Sequence, residues 1–129
     1  MKTLDDRADI ELLVNTFYRK VQNDATIGYY FTDIAKVDWS LHLPKMYDFW
    51  ESILFGSGTY KGNPMAVHFP VNAEKPIEKE HFLHWISLWK ESITTLFVGE
   101  NADLALQKAT NIANLMAYKM ETATKLENR

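Results

Sequence analysis

Apolar residues recur at three- and four-residue intervals along four separate stretches of this chain, and no stretch alternates long enough to make a half-buried strand. Ile10, Leu13, Val14, Phe17 and Val21 share one face of a first helix. Leu43, Met46, Phe49, Trp50, Ile53 and Leu54 mark a second. Ile77, His81, Trp85, Leu88, Trp89, Ile93, Leu96 and Phe97 mark a third, and Ala105, Ala109, Ile112, Ala113, Met116 and Met120 a fourth. A helix with one apolar face must bury it against a neighbour, so 129 residues of this kind predict one all-α domain over residues 1–129.

The punctuation between these stripes sets the expected boundaries. Thr3 followed by Asp6 has the form of a capping box at the start of the first helix. Asn23-Asp24-Ala25-Thr26 interrupts the pattern, and a short apolar piece from Ile27 to Phe31 leads into a loop. Asp38 is placed to cap the second long helix, which Pro44 should either closely follow the start of or bend. Gly56 reads as its stop, with a loop from Gly56 to Asn63. Asn63-Pro64 is a cap followed by proline at the first helical position, opening a brief helix through Met65, Val67 and His68 that Pro70 ends. Pro76 opens the next long helix, which runs to Gly99, and Asn101 begins the last. The small residues on that last stripe predict close approach to a neighbouring helix, while polar Thr122 to Arg129 should fray.

Composition removes several functional classes. With no cysteine there are no disulfides, thiolate metal sites or thiol nucleophiles. A net charge of −3 and the lack of any Lys/Arg run give no basic face for nucleic acid. No stretch approaches the roughly 20 apolar residues of a membrane helix. The charged N-terminus lacks a signal-type apolar run, so a soluble, cytoplasmic protein is expected. Seven Phe, six Tyr and four Trp make the chain rich in aromatic side chains, which line a large apolar cavity as readily as they fill a core.

Few residues carry chemistry. Glu78-x-x-His81, with His84 a turn beyond, has the spacing of carboxylate-bridged di-metal bundles, but no second copy exists. The His-Glu-x-x-His and Gly-x-Ser-x-Gly patterns are absent, and Gly56-Ser57-Gly58 lacks the lysine of a phosphate loop. A lone histidine such as His68 ordinarily lies at the surface or bonds within the core. On an apolar helix end, however, one imidazole is all the protein ligation that a haem iron needs on one face. Tyr18, His42 and Trp85, each taken alone, read as core residues. Taken together with His68 they suggest a buried planar cofactor with one imidazole on one side and a phenol, an imidazole and an indole on the other.

In order along the chain, Phe17-Tyr18-x-x-Val21, Phe31, Trp39-x-x-His42, Phe49-Trp50, Tyr60-x-Gly62, Pro64, His68 and His81-Phe82-x-x-Trp85 resemble the truncated haemoglobins, and among them the third group. The glycine pairs that mark the other groups are missing. The resemblance spans about Leu13 to Trp89 and implies a globin-like two-over-two helical sandwich enclosing haem b (iron protoporphyrin IX). It places His68 as the proximal ligand, with Tyr18, His42 and Trp85 on the distal side. Phe31 would pack on the porphyrin, Met46 and Phe49 would form pocket wall, and Lys45 would partner a propionate. It further implies a five-coordinate iron open to a diatomic ligand such as oxygen or nitric oxide, with His42 donating to that ligand or gating the pocket. Dioxygenation of nitric oxide, which would need a separate electron donor, and a peroxidase-like reaction using His42 and Trp85 are the enzymatic alternatives. A cofactor-free helical interaction module is the alternative from another class.

Overall fold

The computed structural model describes residues 1–127. Its elements run β1 (Lys2–Thr3), α1 (Arg7–Gln22), a π-turn (Tyr30–Ile34), α2 (Trp39–Phe55), α3 (Pro64–Glu74), α4 (Lys79–Leu96), β2 (Phe97–Val98) and α5 (Glu100–Glu127). Helices α1 and α2 form one antiparallel pair. Arg7 of α1 reaches Asp48 of α2 at 2.7 Å near one end, and the Tyr18 ring meets that of His42 near the other. Helices α4 and α5 form the second pair, in which the Trp89 indole N–H donates to the Ala105 carbonyl at 3.2 Å. The first pair lies across the second through α1 on α4 and α2 on α5, giving the two-over-two sandwich. Helix α3 is a shorter piece packed on α5.

The expected stripes form the core. Ile10, Leu13, Val14, Phe17 and Val21 are buried on α1. On α5, Ala102, Ala105, Ala109, Ala113 and Ala117 are buried, and these small side chains let its backbone approach α4. Asp38 caps α2 through a bond from the Ser40 amide, and Gly56 ends it with φ +68°, a left-handed backbone that glycine adopts without steric penalty.

Several boundaries differ from the sequence reading, for tertiary reasons in all but the start of α4. Thr3 does not cap α1; it pairs in a two-residue parallel bridge with Val98, and the cap is Asp6, which accepts from the Asp9 amide at 3.0 Å. The chain therefore contains a short strand pair that its helical periodicity does not encode. Pro70 does not end α3, which continues to Glu74. Buried Asn72 anchors that second half: its amide donates to the Met120 carbonyl and the Thr124 hydroxyl, and its carbonyl accepts from the Ile77 amide at 2.8 Å. The same contact holds α5 helical through Thr124, so the tail expected to fray from Thr122 remains helix to Glu127, while residues 128–129 lie outside the described part. Helix α4 starts at Lys79 behind an N-cap at Glu78, not at Pro76. No helix among the described residues is long and apolar enough to cross a membrane.

Candidate functional site: an aromatic cage around His42

The C-terminal half of α1, the π-turn and the first turns of α2 converge on one aromatic cluster. Tyr18 is buried on α1 one residue after Phe17, whose ring meets it edge-on at 4.8 Å. The π-turn delivers half-buried Phe31, 5.9 Å from both Tyr18 and Trp39. Asp38 starts α2 so that Trp39 and His42 fall one turn apart on the same side. The His42 ring lies 5.1 Å from Tyr18, 5.6 Å from Trp39 and 6.4 Å from Phe31. Sequence reasoning assigned Trp39 no role, yet it completes this cage. The Trp39-x-x-His42 spacing was the available signal.

Within this cage His42 Nε2 is buried and has no hydrogen-bond partner. Leaving a buried polar nitrogen unpaired costs about 1–3 kcal/mol, a cost that native folds tolerate mainly where a ligand or a chemical task accounts for it. Burial, reinforced by the nearby charges of Lys45 and His68, pushes the His42 imidazole down to about 4, so it is neutral at pH 7. Lys45, one turn beyond His42, is itself exposed.

His68 is half-buried on α3, and its Nδ1 is bonded to the Pro64 carbonyl one turn earlier. A carbonyl only accepts, so Nδ1 carries the proton and Nε2 keeps its lone pair. Burial lowers the His68 pKa while the bond to Pro64 opposes that shift; the net direction is down, toward the neutral ring. A ring fixed by its far nitrogen and presenting an unprotonated Nε2 has the orientation that a metal-binding histidine requires.

Trp85 approaches the cluster from α4. It meets Phe17 edge-on at 5.5 Å and is half-buried where the two hydrophobic clusters of the core join. Its link to Tyr18 thus passes through Phe17, another residue without an assigned role in the sequence reading. Met46 and Phe49 pack half-buried along α2 toward the same core. The structure therefore brings Tyr18, Phe31 and His42 into direct ring contact, joins Trp85 through Phe17, and leaves Lys45 at the margin. An open groove of about 300 Å³, lined by Asn15, Tyr18, Arg19, Gln22, Leu43 and Tyr47, backs onto Tyr18 between α1 and α2. It is not lined by His42 or His68.

The alternative metal residues are otherwise engaged. His81 Nδ1 accepts from the Glu78 amide at 2.9 Å as part of the α4 cap, and His84 Nε2 pairs with Asp24 at 2.6 Å. Among the described residues no group of three or more His, Asp or Glu could hold a metal ion. What the site offers is an unpartnered His42 nitrogen within aromatic walls and, on α3, a His68 ring with an unprotonated Nε2, donor groups that fit a planar, apolar group carrying a metal at its centre.

Helix order and packing define a globin-type fold of the abbreviated two-over-two kind. No family model matches the chain. It is 30% identical over 112 residues to the group 3 truncated hemoglobin ctb of Campylobacter jejuni, covering 84% of this chain and 86% of that protein. The crystal structure of the group III truncated hemoglobin from Campylobacter jejuni superposes with a TM-score of 0.81 at 31% identity, covering 93% of this chain and 95% of that one. The chain belongs to the truncated haemoglobins, in their third group.

Proposed function

We propose that the protein holds haem b through Nε2 of His68 and binds a diatomic ligand, oxygen or nitric oxide, on the side lined by Tyr18, His42 and Trp85. The observation that carries this reading is the pair of imidazoles. One is oriented through Nδ1 by the Pro64 carbonyl, and the other has a buried Nε2 with no partner in the fold. Phe31, Met46 and Phe49 supply apolar wall, and Lys45 lies at the edge where a propionate would meet solvent. When bound, the haem supplies an iron with one coordination position left open beyond the His68 ligand.

The chain's own contribution is a dry, donor-lined compartment. Burial raises the Tyr18 pKa, so its phenol stays protonated and donates. The Trp85 indole N–H is a donor only. A ligand gathering negative charge on its outer atom is retained by such donors at about 1.5–3 kcal/mol each, about ten- to a hundredfold in dissociation. Neutral His42 presents one protonated and one bare nitrogen, and it is placed either to donate or to swing aside at the entrance. Replacing His68 by alanine tests the reading. The expected outcome is loss of the Soret band after hemin addition, with the helical signal of the protein retained; a variant that keeps wild-type haem content would remove His68 as the ligand.

A further inference from the structure

Three of the four tryptophans form one unbroken stack that starts beside the cleft and runs away from it. Trp85 and Trp89, a turn apart on α4, lie with planes 2° apart and centroids 6.4 Å apart. Trp89 then stacks on Trp50 of α2 at 4.5 Å and 22°, crossing between the helix pairs. Beyond Trp50, Phe49 meets it edge-on at 5.3 Å and meets Tyr60, in the loop after α2, at 5.2 Å. Exposure along this path is lowest in the middle. Trp89 and Trp50 are buried, whereas Trp85 and Tyr60 at the two ends are half-buried.

Core packing explains why Trp89 and Trp50 are buried. It does not require that indoles, the most easily oxidised side chains besides phenols and thiols, run in contact from the cleft toward a half-exposed phenol. The Trp89 N–H donates to the Ala105 carbonyl, a weak base, in dry surroundings. An electron can therefore leave that indole without its proton having to follow. At Tyr60 the opposite holds, since its partial exposure lets the phenol proton pass to water.

We propose that Trp85, Trp89, Trp50 and Tyr60 form a path for single-electron transfer between the haem cleft and the surface, through which hydrogen peroxide in the cleft oxidises bulky phenolic donors at Tyr60. This rests on the haem reading above. The reaction balances as one peroxide and two phenols giving two waters and two phenoxyl radicals. The O–O bond breaks, and each donor surrenders one electron and one proton. In each half of the cycle Trp85 gives an electron to the cleft and is refilled in turn from Trp89, Trp50 and Tyr60. Tyr60 releases its proton to water and recovers an electron and a proton from the donor.

The test treats haem-loaded protein with hydrogen peroxide and a nitroso spin trap and locates the adduct by peptide mass spectrometry. Wild type should carry the trap on Tyr60, and Trp50→Phe should lower that labelling about tenfold with the Soret band unchanged. Equal labelling in Trp50→Phe, or an unlabelled Tyr60 in wild type with a normal Soret band, overturns the path alone. Absence of any Soret band overturns the haem reading and the path with it. Tyr60→Phe, at a half-exposed position outside the core, keeps the proposal testable should Trp50→Phe not fold. It should lower oxidation of a phenol too large for the cleft about tenfold while trap accumulates on Trp50 or Trp89; unchanged oxidation overturns the path.

Discussion

Helices α4 and α5 bury their apolar faces against each other and against α1, whereas the α2–α3 side leaves much of its apolar surface half-covered. Trp89, Ala105, Ala109 and Met120 are fully buried. On α2 only Trp50 is buried, whereas Leu43, Met46, Phe49, Ile53 and Leu54 are half-covered. The polar groups follow the same division. The Trp89 indole of α4 has its partner, while His42 Nε2 of α2 has none. One side is finished by the protein alone. On the reading proposed here the other is finished by the haem.

A matched pair of substitutions breaks or sustains that contrast. Met120→Ala should cost about 2–5 kcal/mol in urea unfolding of the haem-free protein, because a fully buried side chain leaves a cavity. Met46→Ala should cost about 1 kcal/mol or less in the same experiment, since its side chain is only half-buried before haem enters. Equal losses would mean that the two sides are packed alike. Asn72→Ala should cost about 1–3 kcal/mol by leaving the Ile77 amide without its partner, and hydrogen exchange should rise at the end of α3 and the end of α5 together.

Smaller effects sharpen the distal side. Tyr18→Phe should speed oxygen dissociation about tenfold, read by stopped-flow displacement; an unchanged rate would take Tyr18 out of the donor role. The smallest effect expected is a pH slope. Folding holds His42 to about 4 against an ordinary 6.5, first through burial and then through the Lys45 and His68 charges. Between those values the unfolded chain binds the proton first, so stability of the haem-free protein falls as pH drops from 6.5 toward 4 and levels off below. Above 6.5 the contribution is fully present, and in His42→Phe this part of the slope should disappear, as followed by denaturant titration across that range.

The helices were legible because their causes are local. Apolar spacing, Asp38 as a cap, Asn63-Pro64 and Gly56 act within a turn of chain, and the structure has each where these signals put it. Apart from the locally capped start of α4, the boundaries that differed depend on distant partners: Thr3 on Val98, and the continuation past Pro70 and Thr122 on the contact between Asn72 and α5. Of the candidate site, the residue types and their order were readable, as was the turn that joins Trp39 to His42. The roles of Phe17 and Trp39 were not, because each matters through the rings it touches on other elements.

By itself the sequence determined an all-helical chain with one core, no thiol chemistry, and a short list of imidazole, phenol and indole side chains available for a site. Tertiary structure alone decided that His42 would be caged with an unpaired nitrogen and that three indoles would stack across two helices. The reason is physical. Periodicity fixes which side of a helix faces inward, but ring contacts, burial and the pKa shifts they cause depend on what the neighbouring helix brings to the same place.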